Sequence, residues 1–252
     1  MDKMDLWNKA SSLRKELESD MTSPIDVFAL AYTIKNKNLS IVYYPMGENL
    51  SGICIKGINN SVIAVNSSMT MGRQRFSMAH ELYHLFFDDD NLTAICAATI
   101  GVGCKKEKQA DQFASYLLMP PNALSGMIKH LKESGSGKLS IKDIVSLEQY
   151  FGVSRQAILY RLLDENEISH NEADKMRQNV IKSAINLGFE DALYRPTPKD
   201  KQYGTYGFYI QQAEKALEQG LITSGKYEEL LLSAFRADLV YGEECEGGEV
   251  LD

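Results

Sequence analysis

The sequence predicts an α+β fold, mainly helical, with a small three-stranded sheet. Three observations predict it. Short β-branched and aromatic runs are confined to residues 39–67, apolar residues recur at helical spacing over most of the remainder, and a Gly/Ser break at 133–138 divides the chain. At 252 residues, 44% hydrophobic and 24% charged, the chain has the composition of a globular protein. It is long enough to bury one large core or two modest ones.

Taken in order, residues 4–18 carry helical spacing. In "SPIDVFALAYTIK", Ser23 stands as N-cap and Pro24 at the first position of a second helix. "LSIVYYP", "SGICIKG" and "SVIAVNS" read as strands, the last two joined by "INN" as a hairpin or meander. Helical periodicity then covers 73–87, 105–119 and, after Pro120 and Pro121, 121–133. "ESGSGK" at 133–138 is the clearest linker. Beyond it, "LSIKDIVSLEQYFGVSRQAILYRLLDENEIS" gives two helices joined by "YFGVS", and 171–241 holds further helical patterns around a Pro/Lys/Tyr/Gly-rich loop at 195–207. Three segments result: 1–133, a helix-turn-helix-like region at 138–168, and a helical C-terminal region at 169–252 to which no role is assigned. The acidic tail "GEECEGGEVLD" is expected to fray.

Net charge of -7 removes the basic field that non-specific nucleic-acid binding needs, so any DNA contact is local. No stretch approaches the roughly eighteen apolar residues of a membrane span, and the charged amphipathic N-terminus has no signal-peptide core. A cytoplasmic protein without membrane contact is expected. The four cysteines, Cys54, Cys96, Cys104 and Cys245, show neither CxxC spacing nor a disulfide framework, which fits reduced thiols. Zinc binding through cysteine is not expected.

The chemistry concentrates in "RQRFSMAHELYHLFFDDD", residues 73–90, which holds two of the four histidines. On an α-helix His80, Glu81 and His84 project at about 0, 100 and 40 degrees, within one arc of roughly 100 degrees. Two imidazoles can then chelate one ion with the carboxylate beside the open coordination position. Metal-activated hydrolysis requires that arrangement, with the carboxylate taking a proton from water and passing it to the leaving amine. A histidine pair on a helix also arises by chance, so a third ligand decides the matter. "KKEKQADQFASYLLMP" offers Glu107 and Asp111 at i and i+4 on one face. One of them would complete a zinc site and the other would hydrogen-bond a ligand histidine and fix its tautomer.

"RFSMAHELYHLFF" followed some twenty residues later by "EKQADQFASYLLMP" resembles the ImmA/IrrE family of bacterial zinc peptidases, of the gluzincin type, over about residues 24–125. The resemblance implies a zincin-like peptidase domain holding one zinc ion per chain. It assigns His80, His84 and Glu107 as ligands, Glu81 as general base and Asp111 as support. It also implies a narrow substrate, a helix-turn-helix repressor of the Xre type, cut to release stress, prophage or mobile-element genes. The stretch "DDDNLTAICAATIGVGCK" between the two helices departs from any family pattern. Independently of the resemblance, the strand at 61–66 is expected to offer an edge to an extended peptide.

"IKDIVSLEQYFGVSRQAILYRL" supports a rival reading. Its turn glycine and Val-Ser cap suit a helix-turn-helix, with Arg155, Gln156 and Arg161 on the second helix available to dock substrate or nucleic acid. A DNA-binding regulator, or a toxin–antitoxin partner using the fold as a binding module, is therefore the alternative. Sparse basic residues there, Lys138 and Lys142 among them, favour a structural or substrate-docking use over direct DNA reading. His130 and His170 read as ordinary surface histidines, and Trp7, Tyr83 and Tyr116 as packing residues.

Overall fold

The structure, a computed structural model, describes residues 2–88, 92–135 and 137–242. The first helix, α1 (Lys3–Glu16), buries Leu6, Ala10 and Leu13 at i, i+4 and i+7, the stripe its sequence encodes. Arg14 on the same face is buried and spans to a later helix, donating to the Leu117 carbonyl from Nε and Nη2 at 2.8 and 2.6 Å. The second helix, α2 (Val27–Tyr32), starts later than Ser23 and Pro24 suggest, because Asp26 is its N-cap and accepts from the backbone of Phe28 and Ala29. Ser23 belongs instead to a turn, its N–H donated to Asp20 at 2.6 Å and its carbonyl taken by Arg14.

Three strands follow, β1 (Leu39–Tyr44), β2 (Leu50–Lys56) and β3 (Ser61–Asn66), and then the central helix α3 (Met71–Phe87). Strand β4 (Thr93–Ala97) and helix α4 (Lys105–Leu118) come next, with α5 (Pro121–Ser134) opening on a proline at its first turn. The helical half continues through α6 (Ile141–Phe151), α7 (Arg155–Asp164), α8 (His170–Met176) and α9 (Val180–Asn186). Strand β5 (Gly204–Gly207) and helices α10 (Phe208–Glu218), α11 (Ser224–Ser233) and α12 (Ala237–Tyr241) complete the described chain.

The sheet has five strands, in the order β4-β2-β3-β1-β5, not the three expected. β2 and β3 form the antiparallel hairpin that the "INN" spacing suggests, and β1 lies parallel to β3. Both additional strands are edges. β4 is five residues long with three of them exposed, and β5 is a Gly-flanked tetrapeptide, so neither shows a long β-branched run. β5 also makes the C-terminal region more than helical, since it pairs antiparallel with β1. The expectation of a free edge at 61–66 is overturned: β3 is flanked on both sides, and the edges of the sheet are β4 and β5.

Helix α3 is buried from Gly72 to Leu85 except Arg75, lying against α4, β2 and β3. One hydrophobic core runs from Leu6 through α3 and α4 to Ala173, so residues either side of the 133–138 break share it. A smaller cluster of Val145, Ala184 and Tyr194 ties α6 to α9. No helix is long and apolar enough to cross a membrane among the described residues. The tail from residue 243 onward, with Cys245, lies outside the described residues.

Candidate metal centre

Helix α3 carries His80, Glu81 and His84 with their side chains inside the protein, and α4 brings Glu107 in its first turn and Asp111 one turn later. Nε2 of His80 and Nε2 of His84 are 3.2 Å apart. Glu107 reaches both rings, Oε2 standing 3.3 Å from His80 Nε2 and Oε1 3.5 Å from His84 Nε2. A tetrahedral zinc with bonds of about 2.0–2.1 Å has ligand–ligand edges of roughly 3.3–3.4 Å. The three donor atoms therefore already stand at the spacing of one ion, and imidazole nitrogen with carboxylate oxygen is a donor set zinc accepts. The residues fit the metal.

Each imidazole is oriented by a carboxylate on its far nitrogen. Asp111 Oδ1 lies 2.8 Å from His80 Nδ1, and its Oδ2 accepts the Gly101 N–H at 2.6 Å. Gly101 has φ +81, a conformation that suits glycine and aims that N–H at the carboxylate. Asp88 Oδ2 lies 3.1 Å from His84 Nδ1, while Lys106 donates to Oδ1 at 2.7 Å and Lys56 to the backbone carbonyl. Both rings thus present Nε2 to the same point. Sequence reasoning missed Asp88. The signal was its i, i+4 spacing from His84, hidden in an acidic triplet that reads as a solvated loop.

Glu81 is fully buried, and neither of its carboxylate oxygens receives an N–H or O–H; the donor that faces it is the weak one of the Cys96 thiol. Its carboxylate lies over Gly52, where a Cβ would stand 2.5 Å from Oε1, at the bulge that offsets β2 against β4 between Leu50 and Gly52. Burial pushes the Glu81 carboxyl up to about 7, against the pull of His80. Burial also works against a charged His80, yet its hydrogen bonds to Asp111 and Glu107 carry it up to about 9 in the metal-free protein. Burial and the neighbouring His80 hold His84 below its ordinary value. Burial pushes the Glu107 carboxyl up, but the hydrogen bond to His80 and the attraction of both histidines together bring it below its ordinary value.

Two further residues escaped the sequence reading. Cys96, fully buried on β4, places Sγ in the same group of ligand atoms as His80, His84 and Glu107, all within 4.8 Å of one another. Zinc binding through cysteine is not expected from the sequence, yet this thiol lies beside the centre; it arrives from a short edge strand, which linear spacing does not report. Arg73, two turns before His80, is buried with only a 3.4 Å contact from Nη2 to the Ala97 carbonyl. Its charge faces Asp111 and Glu81, and burial lowers its guanidinium to about 10. It lines a cavity of about 520 Å³ shared with Met69, Ala98, Gln156, Ile181 and Tyr194.

The residues proposed for docking do not join this centre. Arg155 is buried and pairs with Glu148, and it also donates to the Met176 carbonyl at 2.7 Å and to Ser183 Oγ at 2.9 Å. Arg161 is fully buried, donating to Glu165 at 2.9 Å and Ser115 at 3.2 Å and stacking 4.4 Å over the Tyr116 ring. These guanidiniums hold α7 to α6, α8, α9 and α4 and are not offered outward. That corrects the expectation for both; Gln156 is part-exposed at the cavity rim. Gln156, Tyr160, Leu163 and Asp164 form the part-exposed face of α7.

No curated protein matches the chain. Among solved structures, a Mycobacterium tuberculosis transcriptional regulator is similar at 16% identity with a TM-score of 0.41, over 63% of this chain and 46% of its own. The chain thus spans under half the length of that protein, and nothing about function follows from so distant a likeness. The family model of the IrrE N-terminal-like domain, Peptidase_M78, matches residues 26–163, from the cap of α2 through α7. That is more than half of the chain and includes every residue of the centre, and this chain belongs to that family.

Proposed function

We propose that the protein is a zinc-dependent endopeptidase that cuts a helix-turn-helix repressor of the Xre type at a specific bond and so derepresses stress, prophage or mobile-element genes. One observation carries the hydrolytic part: three donor atoms at the edge lengths of a zinc tetrahedron stand beside a fully buried glutamate that receives no N–H or O–H.

His80, His84 and Glu107 would hold the zinc, and Asp111 and Asp88 would keep both rings aimed. Zinc supplies a Lewis acid that lowers the pKa of a coordinated water to about 7. Glu81 is placed to accept a proton from water and to return it to the leaving amide nitrogen. A carboxyl raised to about 7 is matched to that exchange near neutral pH. An extended peptide would add to the open edge of β4, whose inward face carries Cys96 towards Glu81. The repressor substrate rests on family membership.

The test is cleavage of a co-encoded Xre-type repressor by the zinc-loaded protein, with fragments identified by mass. One discrete cut, absent after chelation and restored by zinc, is expected. Tight sequence-specific DNA binding by a zinc-loaded chain that cleaves nothing would favour the regulator reading instead.

A further inference from the structure

We propose that Cys96 is a fourth protein ligand at this centre, so that the resting protein holds its metal in a closed His80, His84, Glu107 and Cys96 set. The proposal rests on the zinc reading above and adds that the peptidase is latent until the thiol leaves.

Placement is the first argument. Cys96 Sγ lies within 4.8 Å of the ligand atoms of His80, His84 and Glu107. Around a tetrahedral zinc with a bond of about 2.3 Å to sulfur, the edges from sulfur to nitrogen or oxygen are roughly 3.6 Å. The shortfall is about an ångström, which a small χ1 adjustment of one cysteine supplies. On β4, Ile95 and Ala97 point outward and are exposed, whereas Cys96 points inward and is sealed from solvent. Its register partner across the ladder is Gly52, whose missing side chain leaves room for the Glu81 carboxylate. Thiol and Glu81 carboxylate therefore share one space beside the centre.

Surroundings are the second argument. A buried free cysteine is ordinarily a small apolar filler. Cys96 instead has two imidazoles and the carboxylates of Glu81 and Glu107 as neighbours, and its thiol is the donor that faces the buried Glu81 carboxylate. Among the described residues Cys54 is buried and Cys104 is exposed, and neither belongs to the group. Thiolate is a soft donor that zinc accepts readily. On binding, the S–H bond breaks, sulfur donates its electron pair to the metal and the proton leaves to solvent.

The functional consequence follows from coordination number. Four protein ligands make a closed site, whereas a catalytic site keeps one position for water. β4 is paired only with β2, so it is the strand whose displacement would carry Cys96 away from the metal. Docking on that edge would then open the site where the substrate lies.

The test uses the full chain loaded with cobalt(II) in place of zinc. At one cobalt per chain, the wild type is expected to show thiolate-to-cobalt charge-transfer absorption in the near ultraviolet. Cys96→Ser should lose that band while retaining one cobalt, and a variant with serine at Cys54, Cys104 and Cys245 should keep it. X-ray absorption on the zinc-loaded wild type needs no substitution and should show a zinc–sulfur distance of about 2.3 Å. One cobalt per chain without a thiolate band, or a band that survives Cys96→Ser, overturns the ligand and leaves the zinc reading standing. A wild type that takes up neither metal overturns both.

Discussion

Asp111 joins the two halves of the metal centre: one oxygen lies 2.8 Å from His80 Nδ1 and the other accepts the Gly101 N–H at 2.6 Å. The carboxylate therefore fixes a ring on α3 and a loop between β4 and α4 with the same group. It is nearly solvent-free, so its replacement leaves two donors unmatched at once.

That separates the two carboxylates of α4 by experiment. Glu107→Gln should abolish stoichiometric zinc binding, since it removes a donor that spans both histidines. Asp111→Asn should retain zinc with about ten- to hundredfold weaker affinity, because an orienting partner is lost and not a ligand. Competition titration against a chromophoric chelator distinguishes them, and the opposite ranking would exchange the roles.

Asp88 should behave like Asp111 although the sequence gives it no comparable context. Asp88→Asn weakens the hold on His84 and disturbs the Lys106 contact, so zinc affinity should fall by about ten- to hundredfold with the fold retained. An unchanged zinc affinity would show that His84 needs no partner on Nδ1.

Helical periodicity is what made the centre legible. The i, i+4 histidines, the adjacent glutamate and the Glu107 and Asp111 pair are local patterns on two helices, and the structure brings those five side chains together. What stayed illegible came through long-range sheet pairing. Cys96 and Gly52 become neighbours of Glu81 only because β4 pairs with β2 across forty-odd residues, in a register shifted by a bulge. The same limit hid β5, which joins the sheet beside β1 from far along the chain. The helix-turn-helix element is present as α6, the Gly152 turn and α7, and the outward availability of Arg155 and Arg161 was misjudged for a different reason. Arg155 and Arg161 carry the residue type of a recognition helix, but spacing does not reveal that Glu148 and Ser115 face them from inside.

Gly52 gives a prediction about turnover with little change in metal binding. A methyl group there would stand 2.5 Å from Glu81 Oε1 and 3.1 Å from the Ala64 carbonyl, so the carboxylate must move. Gly52→Ala should keep one zinc per chain, because no ligand is touched, and lose at least tenfold in kcat as the base leaves its position. Parallel metal analysis and cleavage kinetics check it; full activity would mean that Glu81 has another productive rotamer.

Glu81→Gln is the most demanding case, because two effects of opposite sign must appear together. The amide is nearly isosteric and Glu81 is no ligand, so zinc should stay while turnover falls by about a hundredfold or more. In the metal-free protein the same change should stabilise. The folded carboxyl titrates at about 7 and its ordinary value is 4.5, so protons bind more tightly to the folded state. That contribution is fully present below pH 4.5 and is lost as pH rises through about 7. The difference between 4.5 and about 7, at about 1.4 kcal/mol per pH unit, sets an upper limit of roughly 3.5 kcal/mol above pH 7. Chemical denaturation of the metal-free wild type and variant should therefore coincide near pH 4 and diverge by about 1–3 kcal/mol at pH 8, with the variant more stable. Zinc should close that gap, since a cation beside the site favours the ionised carboxylate. Equal stability at pH 8 without metal would mean that Glu81 is not held in a desolvated state, and its assignment as the base would lose its physical ground.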